Sequence, residues 1–193
     1  SGDQNSDLDY VNVNSLSLNS GTITDAVGNN ATLTLPTPGE ANSLGANKAI
    51  VIDAVPPTVT SVSSTTADGT YKVGDIVVVT VTFSEAVTVT GTPQITLETG
   101  TTDRTVDYTA GTGTSTLSFN YTVQSGDQNS DLDYVNVNSL SLNSGTIADA
   151  VGNNATLTLP TPGEANSLGA NKAIGVDGVA PVFSAVSPAT GGR

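Results

Sequence analysis

Hydrophobic and polar positions alternate most regularly between Ile76 and Ser84 (IVVVTVTFS). Val77, Val79, Val81 and Phe83 fall on one side of an extended segment, and Thr80, Thr82 and Ser84 on the other, which predicts a half-buried strand. Thr114–Val123 behaves alike, with Leu117, Phe119, Tyr121 and Val123 on one face. Shorter strands are predicted at Thr58–Ser63, Glu85–Val89, Gln94–Glu98 and Val106–Tyr108. Turn signals separate them at Thr66–Gly69, Gly91–Pro93, Gly100–Asp103 and Gly111–Gly113. Before this middle region, VNVNSLSLNSG (residues 11–21) alternates like a strand running into a turn, and further strands are predicted at Thr22–Thr24, Ala31–Leu35 and Lys48–Asp53. Between these lie the DAVGNN turn at Asp25–Asn30 and a long polar loop over Pro36–Asn47. No helical period appears. Many short Thr- and Val-rich strands with closely spaced turns predict an all-β chain, an antiparallel β-sandwich.

The same pattern is written twice. Ser1–Asp53 recurs as Ser125–Asp177, offset by 124 residues, and the copies differ only at Thr24/Ala148, Val51/Gly175 and Ile52/Val176. Solenoid and propeller repeats have periods of roughly 20 to 50 residues. This longer period is the size of one folding domain with its own core. Ala54-Val55-Pro56-Pro57 is a short, stiff connector, because proline fixes φ and extends the residue before it. Its counterpart is Gly178–Pro181. The expected organisation is tandem repeats of about 124 residues: 1–54 as the C-terminal half of one repeat, 55–178 as a complete repeat, and 179–193 as a tail or the first strand of a following repeat, that strand being Val182–Gly192. Such a half-domain exposes an apolar face. Its expected completion is by another chain or by further sequence.

Charge narrows the partners. Eighteen acidic residues against five basic ones leave a net charge of −13. No Lys/Arg footprint exists for neutralising phosphates or an anionic lipid surface, and no apolar run is long enough to insert into a membrane. His, Cys, Met and Trp are absent, which removes disulfides, thiolate or imidazole metal sites and the usual nucleophile–base pairs. The chain is therefore expected not to be an enzyme.

The phrases PTVTSVSSTTADGTYKVGDI (57–76), VTVTFSEAVTVTGTP (79–93), DAVGNNA (25–31 and 149–155) and VIDAVPP (51–57) resemble the bacterial immunoglobulin-like repeats of large secreted surface adhesins and biofilm-associated proteins. The resemblance spans the whole repeat unit. It implies an Ig-like sandwich at the bacterial cell surface, serving as stalk or spacer, often with calcium between domains. The partners it implies are neighbouring copies of the repeat and a receptor it does not identify. A filament or surface-layer subunit, assembled by strand complementation or domain swapping between chains, is the alternative.

Carboxylates are the candidate chemistry. Asp131 and Asp133 form D-x-D, with both side chains on one side of an extended segment. Asp149 heads the second DAVGNN turn, Asp177 precedes the connector, Glu85 follows the most regular strand and Asp68 lies in an early loop. The first copy repeats the D-x-D pair, the turn acid and the pre-connector acid as Asp7 and Asp9, Asp25 and Asp53. Calcium takes six to eight oxygen ligands, roughly, and no softer donor is offered here. Cadherins use D-x-D and linker acids this way, although this linker carries one Asp where theirs is acid-rich. The competing reading is that Asp and Asn populate turns by bonding their own backbone. Lys72 and Lys172 are read as solvated rather than as isopeptide donors, and Tyr108, Tyr121 and Tyr134 as sheet or core residues.

Overall fold

Among residues 2–185, which the computed structural model describes, strands dominate and helix is confined to two four-residue turns. The chain divides into two compact units, Ser1–Val55 and Pro56–Arg193.

The first unit holds β1 (Gln4–Asn5), α1 (Leu44–Asn47) and β2 (Ile52–Asp53), with β1 and β2 in a two-residue antiparallel ladder. The strand predicted across residues 11–18 does not form. Asn12 and Ser15 turn the chain instead: the Asn12 amide donates to Ser15 Oγ, the Asn14 amide to Asn12 Oδ1, and the Ser15 amide to the Asn12 carbonyl. Short Asn and Ser side chains offer the backbone local partners that compete with a ladder. Ala31–Leu35 is likewise irregular, tied by amide bonds from Ala31 to Ile23 and from Leu35 to Val13. The predicted polar loop ends in α1, whose first turn is capped by Ser43 Oγ accepting from the Ala46 amide.

The second unit is built on β3 (Val59–Ser64), β4 (Gly69–Lys72), β5 (Ile76–Thr90), β6 (Gln94–Glu98), β7 (Arg104–Ala110) and β8 (Thr114–Thr122). The two strands predicted at 76–84 and 85–89 are one continuous β5, and 106–108 extends in both directions to become β7. β5 pairs antiparallel with β8, placing Val77 opposite Tyr121, Val79 opposite Phe119 and Val81 opposite Leu117, all buried. These cross-strand pairs are what hold the sheet. β3 flanks β5 on its other side, and β7 bridges β8 to β6. Tyr108 packs its ring edge-on to Phe119 at 6.2 Å between centroids.

The second copy completes this unit with β9 (Gln128–Asn129), β10 (Asp133–Tyr134), β11 (Leu140–Ser141), β12 (Thr146–Ala148), α2 (Leu168–Asn171) and β13 (Ile174–Asp177). β10 and β11 pair with β6, β12 with the far end of β5, and β13 runs parallel to β4 and antiparallel to β9. One buried cluster joins both halves: Val62, Val79, Phe119 and Tyr121 from the first, Leu132, Tyr134, Ile147 and Leu168 from the second. Each such side chain contributes roughly 1.5–3 kcal/mol when fully buried. The expected strand over 182–192 is not formed at residues 182–185, and its remainder lies outside the described residues. Among the described residues no helix is long and apolar enough to cross a membrane.

Candidate cation site

In the second unit, Glu85 and Asp149 each bring a carboxylate oxygen within 4.8 Å of the other. Glu85 sits in β5 just past Ser84, where the chain enters the unit: the Thr58 amide donates to Ser84 Oγ, and the Ser84 amide to the Thr58 carbonyl. Asp149 follows β12, whose pairing with β5 carries it beside Glu85. The approach of two half-buried or buried acids is therefore made by strand pairing across more than sixty intervening positions, roughly one β5–β12 ladder away from anything local.

Asp149 itself is turn chemistry. Its Oδ1 accepts the amides of Val151, Gly152 and Asn153 at 2.8–2.9 Å, and its Oδ2 accepts Asn153 Nδ2 at 2.7 Å. Burial raises its carboxyl pKa, but the hydrogen bonds from Asn153, Val151 and Gly152 outweigh burial and hold it below the ordinary value. The carboxylate is thus ionised at neutral pH, with Oδ1 spent and Oδ2 still able to accept. Together the two acids offer only hard oxygen donors, which suits Ca²⁺ or Mg²⁺ and nothing softer. A full calcium shell needs backbone carbonyls or water besides.

The other expected ligands have different neighbours. Asp131 and Asp133 do share one side of the chain, with Oδ2 atoms 3.5 and 3.0 Å from where a Cβ on Gly169 would sit. Asp133 is buried and accepts the amides of Tyr134 and Gly163, tying β10 to the loop before α2. Asp9 makes the same two bonds, to Tyr10 and Gly39, in the first copy. Burial raises its pKa, and the bonds from Gly39, Tyr10, Gly45 and Ser43 bring it below the ordinary value. Asp7 is exposed beside it. Asp68 forms an ion pair with Lys172 at 2.8 Å, which lowers its pKa and gives that lysine a partner. Asp25 accepts from Val27 and from the amide and side chain of Asn29, and the Asn29 side chain is the main cause of its lowered pKa. Asp53 and Asp177 each accept the amide two residues on, from Val55 and Val179. Most of these acids therefore organise turns and loops.

One buried acid stands outside the sequence-derived set. Asp127 accepts Arg104 Nε at 2.7 Å, the Tyr121 hydroxyl at 2.6 Å and the Gln124 amide at 2.8 Å. Burial raises its pKa, and the bonds from Tyr121, Gln124 and Arg104 bring it below the ordinary value; burial and Asp127 together push the Tyr121 hydroxyl well up. This network ties β7 and β8 to the start of the second copy. The turn contact of Asp127 to Gln124 is local, but its pairing with Arg104 comes only through the sheet. No protein family, curated protein or solved structure matches this chain.

Proposed function

We propose that the chain is a structural segment of an extracellular bacterial surface protein: an Ig-like β-sandwich repeat acting as stalk or spacer of an adhesin, with Ca²⁺ stiffening the domain junctions. The observation carrying this reading is that a 53-residue sequence, repeated almost verbatim at a domain-sized offset, supplies eight of the 21 buried core residues of the β unit in its second occurrence. Repetition of a whole core-forming half is what an array selected for length requires. Binding or catalysis asks for a distinctive site instead.

Calcium enters through Glu85 and Asp149, whose carboxylates approach each other at the end of the unit where the proline connector arrives. A cation there would relieve the repulsion of two acids in a chain already carrying −13. The test is a thermal melt in EDTA against millimolar Ca²⁺, with Mg²⁺ as control. A ligand that binds only the folded state stabilises by about 2.7 kcal/mol at a hundredfold excess over Kd. The expected outcome is a rise of several degrees with Ca²⁺, roughly as that energy requires, and its loss in Glu85→Gln. Superimposable melts would remove the metal and leave a plain β spacer.

A second reading, a filament or surface-layer subunit assembled by complementation between chains, is favoured by the apolar side chains on the surface of the first copy. It predicts concentration-dependent association.

A further inference from the structure

The first copy carries the local structure of the second without its cover. Most of its backbone bonds recur there, among them the Leu8 amide to the Ile50 carbonyl at 2.8 Å against Leu132 to Ile174 at 2.7 Å, and Leu35 to Val13 at 2.8 Å against Leu159 to Val137 at 2.9 Å. Tyr10 and Tyr134 both donate to a proline carbonyl, of Pro36 and Pro160, at 2.6 Å. The turn residues Asn19 and Ser20 (φ 42° and 68°) reproduce Asn143 and Ser144 (φ 44° and 65°). Yet Leu16, Ile23 and Leu44 are 42%, 47% and 36% exposed, where their counterparts Leu140, Ile147 and Leu168 are 4%, 1% and 0% exposed. In the second unit those three residues belong to the cluster formed with the strands of residues 56–124.

We propose that this face of residues 2–55 is a preformed docking surface for a β half of the Pro56–Gln124 kind, joined ahead of Ser1 as Gln124 is joined to Ser125. The occupant is identified by its chemistry: the same side chains, in the same local conformation, are covered by that sequence in the second unit. Preorganisation reduces the ordering cost of such docking. A second observation points the same way. The three positions at which the copies differ all fall on strands that meet the complementary half: Ala148 opposite Thr88, Gly175 opposite Thr70 and Val176 opposite Tyr71. A Cβ on Gly175 would come 3.3 Å from the Ser130 carbonyl and 3.4 Å from Thr70 Oγ1, so Val51 at that position asks for slightly more room from its partner. The differences tune each copy to its own half. This inference rests on the spacer reading only in treating the copies as halves of equivalent domains, and it is independent of calcium.

The experiment is hydrogen exchange in EDTA on the 193-residue chain and on the same chain extended at Ser1 by a second Pro56–Gln124 segment. Peptides spanning Thr24 or Ala148 differ in mass, so the copies are read separately, and the Ala148 peptides report that the second unit is folded. In the unextended chain the Thr24 peptides exchange fast. The extension is expected to slow them by roughly a hundredfold or more, towards the Ala148 rates. An extended Val51→Gly chain removes the side chain that crowds the Thr70 position. Unchanged Thr24 exchange in both extended chains overturns the proposal. So does protection that rises with concentration in the unextended chain, which would make a second copy the occupant.

Discussion

Ile23 and Ile147 lie in nearly identical stretches of sequence, begin the same turn-bounded segment, and end in different environments. Ile147 pairs with Val89 of β5 and is buried, while Ile23 is exposed and its segment forms only the isolated bridge between Thr24 and Asn30. Both DAVGNN turns close alike, and both Ser-capped helical turns form, at Ser43 and Ser167. The comparison separates two kinds of information. Turns, caps and Asx bonds depend on neighbours a few residues away and are made in either copy. Strands β11, β12 and β13 depend on the ladder of another half and reach their full length only where it is present.

Truncation breaks the comparison most sharply. Ile147→Ala is expected to destabilise the second unit by about 2–5 kcal/mol through lost burial and a residual cavity. Ile23→Ala in the same chain should stay within about 0.5 kcal/mol, as surface substitutions do. Denaturant unfolding of the two variants measures both, and equal losses would mean that the first copy is packed after all.

The buried acid sharpens it next. Asp127→Asn is expected to cost about 3 kcal/mol, because Arg104 loses its charge partner and one of the two acceptor oxygens shared by Arg104 and Tyr121 becomes an amide donor. Asp3, its first-copy counterpart, is exposed, and Asp3→Asn should be nearly silent. The acid dependence follows with a definite sign. Asp127 has a lowered folded pKa, so the stability it contributes is full above the ordinary carboxylate value, about 3.9, and is lost as pH falls through the folded value below it. Melts of wild type and Asp127→Asn should therefore converge as pH is lowered past about 4. Parallel curves would place the acid sensitivity elsewhere.

The smallest contrast uses glycine. A Cβ on Gly145 would run into the Thr90 carbonyl of β5, whereas one on Gly21 meets only its own turn, at the Leu18 carbonyl 3.0 Å away. Gly145→Ala should cost about 2 kcal/mol by forcing β12 from β5, and Gly21→Ala distinctly less. Thermal unfolding of the pair is the check.

Much of this architecture was legible in order along the chain. The alternation at Ile76–Ser84 put Val77, Val79, Val81 and Phe83 inside, and Gln94–Glu98 forms at its predicted limits. The alternation at residues 11–18 misled, because its polar positions are Asn and Ser, which bond their own backbone and turn the chain. The D-x-D pair read as a cation motif, and in the structure its second acid, Asp133, accepts the Gly163 amide of the loop before α2, as Asp9 accepts the Gly39 amide before α1. Glu85 and Asp149 were individually visible as acids, but their approach was not.

By itself, the sequence determined what acts over a few residues: the turns at Asn19, Asp25 and their copies, the helical caps, the facing of β5 and β8, and the repeat itself. Only the tertiary structure decided which copy is buried, where Glu85 meets Asp149, and that Arg104 and Asp127 form an ion pair. The physical reason is reach. Local hydrogen bonds find their partners in any context, whereas burial and ladder pairing need a second surface, and one sequence written twice finds that surface in the second unit through Pro56–Gln124.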